Sequence, residues 1–262
     1  MRLASALARA RARGAPILVP YLLVDRARGA RVARIVRDLA AAGATGLELG
    51  FPFSEPIADG PVLAAAHARS LRNGTTWTDL LAAARVASRA LPTAVMTYAN
   101  PLWHRGLDAA MGSLARAGVS GLIVPDLSLE ESGPYRSAAR RQGLALVLLA
   151  APGVTRERIA RIARRSRGFL YVVGHYGTTG GAAPGASVDL GPAIAAAHRA
   201  APHLPVLLGF GIRDRASARR AMATGADGVV VGTAIEERLR GRPVSGALTE
   251  FLLGLGLGAP AA

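Results

Sequence analysis

Eight short apolar runs punctuate the chain, and each is followed by alanine and leucine recurring at helical spacing between arginines. PILVPYLLV (16–24) precedes ARVARIVRDLAAAG (30–43), and GLELGFP (46–52) precedes two helical stretches, PVLAAAHARSLRNG (61–74) and WTDLLAAARVASRAL (77–91). TAVMTY (93–98) leads to LDAAMGSLARAG (107–118), GLIVPD (121–126) to EESGPYRSAARRQG (130–143), and ALVLLAA (145–151) to RERIARIARRSRG (156–168). FLYVVGH (169–175) leads to GPAIAAAHRAAP (191–202), PVLLGFGI (205–212) to RASARRAMATG (215–225), and GVVVGTAI (228–235) to a helical tail around VSGALTEFLLGL (244–255). The strand runs are apolar throughout instead of alternating, as expected when both faces of a parallel sheet are covered. Eight strand-then-helix units without a composition break predict one closed (β/α)8 barrel over residues 1–262, the TIM-barrel class of α/β fold. A doubly wound open sheet is the alternative, although the first strand-to-helix turn lacks the G-x-G-x-x-G of a dinucleotide fold.

Composition narrows the chemistry. The 262 residues, 51% hydrophobic, are ample for a core, and no apolar run reaches the roughly 18 residues of a membrane span. The opening MRLASALARARARGAP has a superficial likeness to a transit peptide; a short helix over about 1–14, closing the bottom of the barrel, is the preferred reading. Cysteine is absent, which removes disulfides, thiolate zinc sites and cysteine nucleophiles, and leaves the cytoplasm as the default compartment. The net charge of +15 raises nucleic acid as a partner, but the basic residues are spread over nearly every helix and aromatics are few. A preference for anionic small molecules is what remains. All the basic residues are arginine, so no lysine can form a Schiff base, which excludes imine-type aldolases and pyridoxal-phosphate enzymes with an internal aldimine. The five histidines lie far apart and form no metal-ligand pair, so no metal and no cofactor is expected.

Against this background LELGFPFSEPIADGP (47–61) stands out for three acids in an apolar context. Glu48 falls near the end of the second strand, where barrel active sites lie, and Asp59 on the loop before the next helix. Two such carboxylates can face one cavity, and burial would raise the Glu48 pKa toward neutrality, which suits proton transfer. Each has a plainer reading: Glu48 as a strand acid paired with an arginine, Asp59 as a turn or helix-capping residue, Glu55 as a solvated loop acid. Glycines after strands six, seven and eight (Gly180, Gly211, Gly232), with a short helix opening at Thr233, expose backbone N–H groups to an anion, the place where such barrels often bind phosphate.

The motif resembles that of the tryptophan synthase alpha subunit family, approximately L-E-L-G-x-P-F-S-D-P-x-A-D-G-P, with Glu55 at the usual aspartate. The likeness continues in order through MTYANP (96–101), LIVPDLSLEES (122–132), FLYVVGHYGTTG (169–180), LLGFGI (207–212) and GADGVVVGTAI (225–235). The resemblance implies retro-aldol cleavage of indole-3-glycerol phosphate to indole and glyceraldehyde 3-phosphate, with indole passed to a β subunit in an α2β2 assembly. It implies Glu48 as proton shuttle and Asp59 as acceptor for the ring N–H. Tyr98, Tyr171 and Phe210 would shape the indole pocket, with Thr179, Gly180, Gly211, Gly232 and Thr233 around the phosphate. A lysine-free, metal-free site agrees with this chemistry, because the protonated indole ring is its own electron sink. Departures fall in loops: Val24-Asp25-Arg26 where G-D-P is usual, Ser128 where proline is usual, and His175 where arginine is expected. They keep open a lyase that works without a β subunit, and, from another class, a non-catalytic barrel that binds a phosphate metabolite.

Overall fold

The computed structural model describes residues 2–151, 153–174, 189–209, 211–240 and 246–257. Eight parallel strands close into a barrel in sequence order: β1 (Ile17–Leu23), β2 (Leu47–Gly50), β3 (Thr93–Met96), β4 (Gly121–Ile123), β5 (Ala145–Ala150), β6 (Leu170–Val173), β7 (Val206–Gly209) and β8 (Gly228–Val231). Closure is made by β1 against β8, with Ile17 opposite Gly228 and Pro20 opposite Val231.

The continuous apolar runs have the expected cause. Along β1, Ile17, Val19, Tyr21 and Leu23 join an interior cluster with Ala94, Ile123, Val147, Phe169, Leu207 and Val230. The intervening Leu18 and Leu22 join the outer layer between strands and helices. Neither face of β1 meets water, which is why its residues are apolar throughout.

The helices are α1 (Leu3–Ala12), α2 (Val32–Ala41), α3 (Pro61–Arg72), α4 (Trp77–Ala87), α5 (Ala99–Arg105), α6 (Leu107–Arg116), α7 (Ser132–Arg141), α8 (Arg156–Arg165), α9 (Gly191–Ala200), α10 (Arg215–Ala223), α11 (Thr233–Leu239) and α12 (Ala247–Gly254). Leu3 and Leu7 of α1 are fully buried in the interior cluster, so α1 plugs the barrel at the N-terminal ends of the strands. Local chemistry sets several helix starts: Thr76 and Asp79 form a reciprocal capping box on α4, and Asp214 with Ser217 does the same on α10.

One helix differs from the sequence reading. Helix α5 was not expected between β3 and α6; Pro101 sits in its first turn, where a missing N–H costs nothing, and the Asp126 carboxylate accepts the Ala99 N–H at 2.9 Å. The eighth apolar run, 228–235, is strand only as far as Val231, and α11 opens at Thr233, as the sequence reading expected. Arg26–Arg31 form a 3-10 turn, started by the Asp25 carboxylate accepting the Ala27 N–H at 3.0 Å.

Candidate active site

The strand register builds the site. Tyr21 lies opposite Glu48 on the neighbouring strand, and Glu48 faces inward with Gly50 two residues further on. A side chain at Gly50 would collide with the Tyr21 phenol, and one at Gly209 with the Tyr171 phenol. The two glycines thus let two tyrosines, from β1 and β6, lie across the barrel interior beside Glu48.

Above them a cavity opens at the C-terminal ends of the strands. Glu48, Asp59, Tyr171, Gly211, Gly232 and Thr233 line it together, drawn from four different strands or the segments after them. Tyr21, Leu63, Met96, Ile212, Arg213 and Val230 complete the wall. Of the residues expected at the site, Thr179, Gly180 and Phe210 lie outside the described residues, as does His175. Tyr98 is not part of the wall; it is a buried partner of Asp59.

Glu48 is fully buried, and among the described residues neither of its carboxylate oxygens has a hydrogen-bond partner. The plain reading of a strand acid paired with arginine therefore does not hold for it. Burial pushes its carboxyl up to about 8, and the charge of Asp59 adds to the rise. Glu48 is accordingly protonated near neutral pH.

Asp59 is also not a helix cap: the cap position of α3 is Gly60, and no side chain fills that role. Its Oδ2 accepts the Tyr98 hydroxyl at 2.7 Å, while the same hydroxyl accepts the Ala58 N–H at 3.0 Å. Phe53 stacks on the Tyr98 ring at 4.9 Å, which fixes the phenol's direction. Burial pushes Asp59 up to about 6, and the Tyr98 bond opposes that rise. The site thus holds an acid that is protonated at neutrality beside one that is ionised. Such separation of two carboxyls is what acid–base chemistry needs. Glu55 is exposed, as its loop-acid reading anticipated.

Three residues escaped the sequence reading. Tyr21 looks like strand packing until the register puts it beside Glu48. His67 sits in the alanine-rich α3, yet its ring reaches within 3.5 Å of Asp59. Arg213 brings a cation to the cavity near Gly211, but in a chain with 32 basic residues nothing local marks it. Among the described residues there is no group of three His, Cys, Asp or Glu side chains placed to hold a metal ion.

Comparison with known proteins adds the family. The family model described as tryptophan synthase alpha chain matches residues 7–245. The tryptophan synthase alpha chain of a Picosynechococcus species is 42% identical over 241 residues, covering 89% of this chain and 90% of the relative. That of a Synechocystis species is 40% identical over 240 residues, covering 90% of each. Among solved structures, Mycobacterium tuberculosis tryptophan synthase superposes with a TM-score of 0.86 at 33% identity, over 100% of this chain and 99% of the other. A chain of the tryptophan synthase α2β2 complex of Pyrococcus furiosus gives 0.81 at 29% identity, over 92% and 97%. With Glu48 and Asp59 of its motif gathered in one barrel mouth and its whole length matched, this chain belongs to the tryptophan synthase alpha chain family.

Proposed function

We propose that this chain, acting as one barrel domain, cleaves indole-3-glycerol phosphate to indole and glyceraldehyde 3-phosphate. The observation that carries the reading is the pair of buried carboxyls: Glu48, unpartnered and raised to about 8, shares a cavity with Asp59, held lower by Tyr98. The protonated Glu48 delivers its proton to C3 of the indole ring, which turns the ring into an indolenine with positive charge at nitrogen. The ionised Asp59 accepts the ring N–H and stabilises that charge as it develops. Glu48, now a carboxylate, takes the proton from the hydroxyl on the carbon attached to C3. The C–C bond breaks, its electron pair returns the ring to neutral indole, and the hydroxyl carbon leaves as the aldehyde. Glu48 ends protonated, as it began, so no proton is lost or gained overall.

The phosphate is assigned to the Gly211 turn and to Gly232-Thr233 at the start of α11, with Arg213 supplying a charge on the same side of the cavity. Tyr171 bounds the indole end, next to Glu48. Phe210, Thr179 and Gly180 are assigned to the same pocket by the family motif alone.

The partner in this reading is a β subunit that receives the indole, in an α2β2 assembly in the cytoplasm. Among the described residues no helix is long and apolar enough to cross a membrane. Two exposed apolar side chains at the active-site end fit a docking role: Ile57 on the β2–α3 loop, 73% exposed, and Trp103 on α5, 67% exposed. A β-independent lyase is the second reading, carried by Val24-Asp25-Arg26 and Ser128 in loops where the family motif differs.

Indole release from indole-3-glycerol phosphate by the purified chain, with and without a β subunit, tests both. Slow release that the β subunit accelerates supports the first reading, and fast release without it supports the second. No release under either condition would sink the lyase assignment and leave a phosphate-binding barrel.

A further inference from the structure

Helix α3 starts two residues after Asp59, so its second turn leans back over the loop that carries the carboxylate. His67 occupies that turn and is buried. The backbone N–H of Phe53, on the same loop, donates to its Nδ1 at 3.0 Å. A ring nitrogen that accepts carries no proton, so the neutral imidazole has its hydrogen on Nε2. Nε2 in turn faces two oxygens, Oδ2 of Asp59 and the hydroxyl of Tyr21, each at 3.5 Å. The Tyr21 contact is the hydrogen bond of the two, and the Asp59 oxygen stands at the same distance from the same nitrogen.

The other groups around the imidazole are accounted for. The Tyr98 ring lies edge-on at a centroid distance of 6.5 Å. From α11, Glu236 acts on His67, but its carboxylate is bound by Arg28 at 2.7 and 2.8 Å and by Arg69, which also approaches Asp25. Burial therefore prevails over Glu236 and brings the imidazole down to about 4, so the ring is neutral throughout the working range.

We propose that His67 is a positioning residue for Asp59: the Phe53 N–H fixes its tautomer, and its Nε2–H joins the Tyr98 hydroxyl in holding Asp59 as an ionised acceptor. The proposal rests on the reading of Asp59 as the acceptor for the ring N–H. A protonated Asp59 could still accept through its carbonyl oxygen but would carry no negative charge to stabilise the ring nitrogen. Among the described residues both of these contacts fall on Oδ2, so Oδ1 is the oxygen assigned to the substrate. A neutral donor is suited to this task. An arginine there would hold the carboxylate as firmly but would also neutralise it, weakening its pull on the positive charge that develops in the ring.

The test compares His67→Leu, which removes the donor at similar volume, with His67→Gln, whose amide nitrogen can take the place of Nε2. The readout is the protonation of Asp59, followed with pH by infrared difference spectroscopy, its carboxyl band identified by Asp59→Asn. In the unaltered chain the midpoint is expected at about 6. In His67→Leu it should rise by about one pH unit, with kcat at pH 6.5 falling about threefold, the acid limb moving up and KM nearly unchanged. His67→Gln should stay near the unaltered midpoint. A Leu variant that folds and titrates Asp59 at the unaltered midpoint overturns the proposal, as does a Gln variant displaced as far as Leu. Should the Leu variant not fold, His67→Asn takes its place: its shorter amide reaches the Phe53 N–H but not Asp59, so an unchanged midpoint overturns the proposal equally. The infrared midpoint needs no turnover. A chain that releases no indole but shows these midpoints loses its function reading while the positioning role stands.

Discussion

Replacing Glu48 with glutamine should make the protein more stable at alkaline pH while abolishing its activity. The carboxyl is fully buried and has no hydrogen-bond partner among the described residues, so glutamine loses no contact that the acid made. Folding raises its pKa from 4.5 to about 8. The folded chain thus keeps a proton that the unfolded chain releases. The stability this contributes is fully present below pH 4.5 and is lost as pH rises through 8. Across that window the loss accumulates at about 1.36 kcal/mol per pH unit, on the order of 5 kcal/mol in all. Relaxation around a buried charge reduces such figures, and about 3–5 kcal/mol is the expected range at pH 9. Glutamine does not titrate, so Glu48→Gln escapes the loss. Asp59, Tyr21 and every distant group remain in both proteins, and their own pH effects largely cancel in the difference. Urea unfolding of both proteins from pH 5 to pH 9 gives that difference directly. It should be about 1 kcal/mol or less at pH 5, grow through pH 8 and level off. A difference that stays flat with pH would refute the burial argument, and so would a glutamine variant that is less stable at pH 9.

Other perturbations follow from the same geometry. Tyr98→Phe removes the hydroxyl that donates to Asp59 and accepts from Ala58; it should cost about 1–3 kcal/mol and move the acid limb of kcat/KM upward, read from a pH–rate profile. Gly50→Ala puts a methyl group into the Tyr21 phenol, costing about 1–3 kcal/mol and most of the activity. Adding Tyr21→Leu to that variant should recover the melting temperature but not the turnover. Arg28→Ala leaves the buried Glu236 with Arg69 as its remaining arginine partner and should lower unfolding stability by about 3 kcal/mol at neutral pH, measured by urea midpoint.

The barrel was legible in the sequence because its signal repeats. Each doubly buried strand is an unbroken apolar run, and each helix restores a polar face, so eight units could be read without any long-range information. Helix α5 was not legible, since Asn100-Pro101 reads as a loop until the Asp126 carboxylate, 27 residues later, accepts its first N–H. The same contrast runs through the site. Glu48 and Asp59 stood out because an acid in an apolar stretch is locally anomalous. Tyr21 gave no such sign: a tyrosine in PILVPYLLV is ordinary core, and its place beside Glu48 comes from pairing between strands. His67 was hidden for the same reason. Its meaning depends on the Phe53 N–H and the Asp59 carboxylate, brought to it by a loop that folds back over α3.

The central claim is that Glu48 carries the proton to C3 of the ring, and cleavage of indole-3-glycerol phosphate in deuterium oxide tests it most directly. The indole released should carry one deuterium at C3, detected by mass and by loss of the C3 proton signal. Glu48→Gln, folded and at least as stable as the parent, should release none. Indole formed by that variant at a rate near the parent's, or indole from the parent with hydrogen retained at C3, would contradict the account.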